Sequence, residues 1–163
     1  MTPALWIRPA QRAIAALDRL LDRLQGAALL AARLYVAQVF FSAGVTKLRD
    51  WDTTLALFAD EYHVPLLSPA VAAVAGTVGE LVLPVLLALG LGGRFAALGL
   101  SIVNAVAVIS LAEIAPAALQ QHILWGCLLV GVLLWGAGPW SLDRWLRPWL
   151  QALVPTAGYT RAA

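Results

Sequence analysis

The chain has 163 residues, a length that suits one compact domain. Hydrophobic residues make up 61% of it and charged residues 12%, whereas soluble chains average about 45–50% and about 25%. A soluble domain of this size could not bury so much apolar surface, so the composition indicates an integral membrane protein and excludes disorder or a disulfide scaffold. The net charge of +2 does not indicate nucleic-acid binding, because the basic residues flank apolar segments, as membrane topology requires.

The first 25 residues predict an amphipathic helix rather than a cleavable signal peptide. Ile14, Leu17, Leu21 and Leu24 recur at helical spacing, and charged residues interrupt the stretch on the other face. Such a helix is expected to lie in the membrane interface. Packing against another subunit is the alternative.

Four apolar segments long enough to cross a bilayer follow, at residues 27–46, 67–91, 95–114 and 117–135. The predicted fold is an all-α integral membrane four-helix bundle with amphipathic interfacial helices at the N- and C-terminal ends. The predicted division is an N-terminal helix over 1–25, the membrane domain over 26–138 and a Trp-rich tail over 139–163.

The distribution of basic residues predicts the orientation of the spans. With the N-terminus in the cytoplasm, eight of the eleven Lys and Arg residues lie inside, only Lys47 and Arg49 lie outside, and Arg33 lies within the first span. The positive-inside rule therefore predicts a bacterial-type inner-membrane protein with both termini cytoplasmic.

Two further amphipathic segments are expected outside the spans. Asp52 is predicted to cap a short helix in the long loop after the first span, with Trp51 on its apolar side. The tail carries Trp145 and Trp149 on a helix that Pro148 is expected to end or kink.

Polar side chains inside the spans are the first candidate site. Charged residues at a helix centre cost about 2.5–3.5 kcal/mol on insertion scales, so each of them needs a physical reason. Depths estimated from the helical rise predict an Arg33–Glu80 pair, joined by Asn104 and Gln38 in one polar seam. The pair could hold the helices together or form a ligand, proton or quinone site.

A second candidate is an outer-face pocket formed by Lys47, Glu113 and His122. Interfacial anchoring is the alternative, because helix ends tolerate charge at little cost. Cys127, the single cysteine, is expected to be an inert core residue. No pattern of metal ligands is recognisable, and no catalytic residue can be named.

Four blocks of the chain together resemble the DoxX family of small four-helix membrane proteins. The first runs from Arg33 to Leu48 and ends in Gly44-Val45-Thr46-Lys47, and the second is Gly76-Thr77-Val78-Gly79-Glu80-Leu81. The third is the glycine-rich turn from Gly90 to Ala97, and the fourth is the closing Gly136-Ala137-Gly138-Pro139-Trp140-Ser141-Leu142-Asp143. The resemblance covers residues 29–144.

The resemblance implies a membrane subunit of a redox or oxidative-stress complex, with a quinone as the one cofactor to consider. A non-enzymatic accessory or assembly protein is the alternative, and a small-solute carrier is a third. Each needs the lipid bilayer and a protein partner or a second copy. The resemblance puts Arg33, Lys47 and Glu80 on family motif positions, but it does not decide whether the protein is an enzyme.

Overall fold

The computed structural model describes residues 4–153, and the side chains of 11–146, 148, 149 and 152. Every element in this part of the chain is a helix. The helices are α1 (Ala4–Arg49), α2 (Trp51–Asp60), α3 (Pro69–Leu89), α4 (Gly93–Ile109), α5 (Pro116–Trp135) and α6 (Leu142–Leu153).

Three helices of the described chain, α1, α3 and α5, are long and apolar enough to cross a membrane, and α4 is a shorter apolar helix of 17 residues. The four pack side by side: α1 contacts α3 and α5, and α4 contacts the same two helices. The core between them is built around Val36 and Phe40 of α1, Leu87 of α3, Leu100 of α4 and Leu129 of α5.

We name the two ends of this helix assembly after the segments that they contain. The terminal end holds Gly26 to Arg33, the α3–α4 turn at residues 90–94 and the α5–α6 turn at residues 136–143. The loop end holds Lys47, the α2 helix, the α2–α3 loop and the α4–α5 turn. At the loop end a second, smaller core forms where Phe58 of α2 packs on Ala72 and Ala73 of α3.

Local chemistry sets the helix ends, and several differ from prediction. Pro69 and Pro116 open α3 and α5, where the missing N–H costs no hydrogen bond. Gly90 ends α3 with a left-handed φ of 66°. The third predicted span is too long: α4 stops at Ile109, because Leu111 pairs with Tyr62 of the α2–α3 loop.

The predicted cap of α2 is wrong. The side chain of Asp50, not Asp52, accepts the hydrogen bond from the Thr53 N–H at 3.0 Å. Two threonine hydroxyl contacts strengthen this corner, since Thr53 Oγ1 lies 2.7 Å from the same carboxylate and Thr54 Oγ1 lies 3.0 Å from the Lys47 carbonyl. The short helix is thereby tied directly to the end of α1.

The predicted N-terminal helix is continuous with the first span. Helix α1 has 46 residues, about 69 Å at 1.5 Å per residue, whereas a bilayer core is about 30 Å thick. Residues 11–25 are exposed, and burial begins at Gly26. The interfacial position of this segment stays a prediction, and residues 1–3 and 154–163 of the two predicted end segments lie outside the described residues.

Candidate functional site at the loop end

An ion pair lies between two of the membrane-spanning helices. Nζ of Lys47, near the end of α1, lies 2.5 Å from Oε2 of Glu80 on α3. The Lys47 side chain is 22% exposed and that of Glu80 10%. Glu80 is eleven residues along α3 from Pro69, which puts it about 16 Å below the start of that helix. The lysine reaches back along α1 to meet it, as long helical side chains tend to do.

Gly44 allows the two helices to approach each other at this point. A Cβ atom at residue 44 would lie 2.9 Å from Cγ of Leu81 and 3.1 Å from Cβ of Glu80. The absence of a side chain one turn before Lys47 therefore brings the α1 backbone against the base of the Glu80 side chain. This explains the Gly-x-x-Lys spacing physically: the glycine sets the distance and the lysine neutralises the carboxylate.

Two hydroxyl groups border the pair. Thr77 lies one turn before Glu80 on α3 and is 2% exposed, and among the described residues no group hydrogen-bonds to its Oγ1. Tyr62, in the loop after α2, packs edge-on against Phe58 with ring centroids 5.0 Å apart. Burial raises the pKa of the Tyr62 phenol, and the charges of Glu61 and Glu80 raise it further. Tyr62 is thus within electrostatic reach of the ion pair.

A pocket of about 270 Å³ opens beside Tyr62. Its walls come from α2, the α2–α3 loop and the start of α3, and they include Phe58, Tyr62, His63 and Ala72. Sites for drug-sized ligands run from about 300 to 1,000 Å³, so this pocket suits one ring-sized group. His63 stands at its exposed side with Nδ1 donating to the Glu61 carbonyl at 3.1 Å.

The predicted Arg33–Glu80 pair is wrong, because Arg33 belongs to the opposite end. Its Nη2 donates to the carbonyls of Trp140 at 2.9 Å and Ala88 at 3.2 Å, and its Nη1 donates to the carbonyl of Ala137. Arg33 is 1% exposed. The depth estimate failed because it ignored the carbonyls that helix ends leave unpaired, which a guanidinium can gather from several directions at once.

The turns around Arg33 are built to close over it. A Cβ at Gly90 would lie 2.5 Å from Cβ of Ser141 and 2.9 Å from Nη1 of Arg33. The Asp143 carboxylate accepts from the backbone N–H groups of Gly92 at 2.8 Å and Gly93 at 2.9 Å, and so caps the start of α4. The buried Nε of Arg33 has no hydrogen-bond partner among the described residues, but the three carbonyls and the tight turns hold the guanidinium in place, so the contacts at this terminal end are mainly structural.

Asn104 has yet another partner. Its Nδ2 donates to the His122 carbonyl at 2.9 Å, and its Oδ1 lies 2.8 Å from Nδ1 of His122. Because the amide oxygen can only accept, the His122 ring carries its proton on Nδ1. The ring also stacks edge-on against Trp125 at 4.9 Å. These contacts join α4 to α5, separately from the Lys47–Glu80 pair.

The residues of the two predicted clusters therefore do not come together in the structure. Arg33, Glu80 and Asn104 each have different partners, and Gln38 is exposed on the outer surface of α1. Of the predicted outer-face pocket, Lys47 turns into the helix packing, His122 bonds to Asn104, and Glu113 is exposed. The prediction for Cys127 is also wrong, since the thiol lies on an exposed face of α5.

Sequence reasoning had both members of the ion pair but assigned them to different sites, and it missed Thr77 and Tyr62. A signal for Thr77 was present, since it precedes Glu80 by one turn in the same block. Tyr62 could not have been found by spacing, because the fold of the α2–α3 loop alone brings it back over α3.

A family model described as DoxX matches residues 28–113 of the chain, which is more than half of its length. The match contains Arg33, Gly44, Lys47 and Glu80 and ends before α5. The search of curated proteins and the search of solved structures both found no match.

Proposed function

This chain belongs to the DoxX family, and from that premise we propose that it is the membrane subunit of a redox or oxidative-stress complex with a quinone-headgroup site at Lys47 and Glu80. The observation that carries the proposal is the Lys47–Glu80 pair, which lies between α1 and α3, one turn from a buried hydroxyl that has no hydrogen-bond partner in the described part of the chain. A buried polar group normally has a hydrogen-bond partner, so the Thr77 hydroxyl is available to a ligand; Nε of Arg33 is the other buried atom without a partner among the described residues, and it lies at the terminal end.

The chemistry of these groups fits a quinone headgroup. The Lys47 ammonium and the Thr77 hydroxyl can donate to its carbonyl oxygens, and the Glu80 carboxylate can accept a proton from the hydroquinone hydroxyl. The loop end also holds a pocket of ring size with Phe58 and Tyr62 as aromatic walls, and Ala72, its last lining residue on α3, lies about two helical turns from Glu80. Oxidation of a hydroquinone releases two electrons and two protons, and the electrons would pass to a partner protein that carries a redox centre.

We further propose that α1, α3, α5 and the shorter α4 form a four-span bundle in a bacterial-type inner membrane, with the terminal end on the cytoplasmic side. The support is the positive-inside rule, because Arg94 and Arg144 flank the terminal end. Helix α6 would then lie along the cytoplasmic interface. Its exposed Trp145 and Trp149 suit that position, since tryptophan prefers the headgroup region.

The test is mild-detergent purification of the full chain from native membranes, followed by mass spectrometry of retained proteins and extraction of bound quinone. The key variant is the double substitution Lys47→Met/Glu80→Leu. Replacing a buried ion pair with apolar groups is often neutral for folding, so this variant separates function from stability. The matched control is Arg49→Met/Glu113→Leu, which removes two exposed charges from the same end.

Retention of a redox protein or a quinone by the wild type and the control, with loss in the double variant, would support the proposal. Equal retention by all three would show that the pair is only structural. A wild-type preparation that holds neither quinone nor redox partner would contradict the proposal as a whole.

An accessory or assembly role is the second candidate, and one observation favours it: the exposed apolar face of residues 14–24 extends beyond the packed helices. It predicts that deletion of the protein lowers the level of a partner, whereas Glu80→Gln does not. A carrier function would instead require solute flux in proteoliposomes that Glu80→Gln abolishes.

A further inference from the structure

One face of α1 is exposed along most of its length. It runs from residues 11–25, which we call the projecting segment because they extend beyond the packed helices, into the membrane-spanning part that follows. In the projecting segment Ile14, Leu17, Leu21 and Leu24 are each 52–60% exposed. Their spacing of three and four residues is the a/d pattern of a coiled coil. The charged residues of this segment fall outside these four positions.

The same spacing continues into the membrane-spanning part. Stepping on by four and three residues from Leu24 reaches Ala28, Ala31, Tyr35 and Gln38, and all four are exposed. Small residues at such positions let two membrane helices approach closely. The face that packs against the rest of the protein carries Gly26, Arg33 and Val36. Tyr35 lies at the border of the two faces, since its hydroxyl accepts a hydrogen bond from Trp125 Nε1 of α5 at 3.5 Å.

We call the exposed a/d positions of α1 from Ile14 to Gln38 the α1 seam. We propose that this seam is the interface of a parallel homodimer, in which α1 of one copy packs along α1 of a second. Two copies with the same membrane topology must have parallel α1 helices, and a two-fold axis along the membrane normal puts identical residues opposite each other. A heptad seam with uncharged residues at its a and d positions suits that symmetry.

Gln38 is the observation that favours a second copy over lipid. Its side chain is exposed on a helix long and apolar enough to cross a membrane, at the edge of an apolar groove that α3 lines with Pro84 and Val85, and none of the side-chain hydrogen bonds in the described part of the chain involves it. An amide in lipid lacks the partners it had in water. Because an amide both donates and accepts, two symmetry-related Gln38 side chains can satisfy each other, which lipid tails cannot do.

The unbroken course of α1 favours a second copy over the membrane surface. For residues 14–24 to lie flat in the interface, the chain would have to bend sharply before the first span. Helix α1 instead runs from Ala4 to Arg49 without a break. Continued straight, its apolar face stands in water beyond the bilayer, where only another apolar surface can cover it.

The experiment is cysteine cross-linking in native membranes with the full chain in a Cys127→Ser background. Under mild oxidation, Leu21→Cys and Leu24→Cys should give disulfide-linked dimers. The matched control is Asp22→Cys, which lies on the charged face of the same turn and should give none. Cross-linking of Leu21→Cys no greater than that of Asp22→Cys would overturn the proposal.

A second measurement uses the mass of the purified protein in nanodiscs. The wild type should be a dimer, and Leu17→Glu/Leu24→Glu should be a monomer, because four carboxylates would face one another in the seam. The control Ala15→Glu/Ala16→Glu adds the same charge off the seam and should remain a dimer. Gln38→Leu should weaken the dimer by about fivefold or more.

Two outcomes of these experiments would contradict a homodimer. A monomeric wild type, together with quenching by lipid-borne probes of a fluorophore attached to Leu21→Cys, would show an interfacial helix. Cross-linking of Leu21→Cys to a different protein, with no self-adduct, would show that the seam serves another partner.

Discussion

Arg33 and Lys47 are cations on the same helix, but they meet opposite surroundings. Arg33 lies in the terminal end, where its guanidinium donates to three backbone carbonyls and the turns close tightly over it. Lys47 lies in the loop end, which also holds a pocket, and its partner Glu80 lies one turn from the Thr77 hydroxyl, to which no described residue hydrogen-bonds. The two cations therefore differ in role: Arg33 joins helix ends, whereas Lys47 and its partner can still interact with a ligand.

The largest effect is expected at the terminal end. Arg33→Met would leave the carbonyls of Ala88, Ala137 and Trp140 without their charged donor, at a cost of about 4 kcal/mol. The melting temperature in detergent should fall by roughly 10 °C. Arg94→Met is the control, since Arg94 donates to one exposed carbonyl, that of Leu134, at 3.2 Å. Equal melting temperatures for the two variants would show that the buried contacts of Arg33 do not hold the terminal end together.

Gly90→Ala should come next. Gly90 and Gly92 both have left-handed φ values, 66° and 56°, so alanine is strained at either. Only at Gly90 would the new Cβ meet Ser141, at 2.5 Å, whereas at Gly92 the nearest atom is 3.9 Å away. Gly90→Ala should therefore cost about 2 kcal/mol more than Gly92→Ala. Thermal unfolding of the two variants measures the difference, and similar losses would show that the close approach is not rigid.

The ion pair should show coupling rather than a large net contribution. Lys47→Met alone leaves Glu80 without its cation and should cost about 2 kcal/mol, whereas Lys47→Met/Glu80→Leu should restore most of that loss. A double-mutant cycle on thermal stability measures this coupling. A double variant less stable than either single variant would mean that the pair is a structural lock like Arg33.

Titration of Tyr62 tests whether it senses the site. Burial and the charges of Glu61 and Glu80 raise the pKa of this phenol, so it should ionise only above the ordinary tyrosine range. Glu80→Gln removes one of these causes and should lower the pKa of Tyr62, while burial keeps it above the ordinary value. Ultraviolet titration of Glu80→Gln against Glu113→Gln measures the change, and identical curves would separate Tyr62 from the ion pair.

The smallest effect is expected at the corner that holds α2 over the site. Hydrogen bonds from the Thr53 side chain and backbone lower the pKa of Asp50. A lowered folded-state pKa stabilises the fold above the unfolded value of about 3.9 and loses that stabilisation as the pH falls through the folded pKa. The protection of the α2 amides from hydrogen exchange, corrected for the intrinsic pH dependence of exchange, should therefore fall at acidic pH, and Asp50→Asn should remove most of that fall. An unchanged profile would mean that the cap does not hold α2.

Composition and hydropathy determined the class of protein and located the long helices, because apolar runs of bilayer length seldom occur outside membrane-spanning helices. The α5 prediction began within one residue of the observed helix, since Pro116 marks its start unambiguously. The positions of charged residues in or next to apolar segments also identified Arg33, Lys47 and Glu80 as candidates, because a charge within a membrane span is costly wherever it occurs.

Only the tertiary structure decided which groups meet. Arg33 and Glu80 were matched by depth, but depth along separate helices says nothing about which carbonyls the adjoining turns present. Those turns depend on close contacts such as Gly90 with Ser141, fifty-one residues apart, and Tyr62 returns to α3 only through the folded α2–α3 loop. The local sequence shows which charged residues are costly to bury, whereas the packing of distant segments determines the partner that offsets this cost.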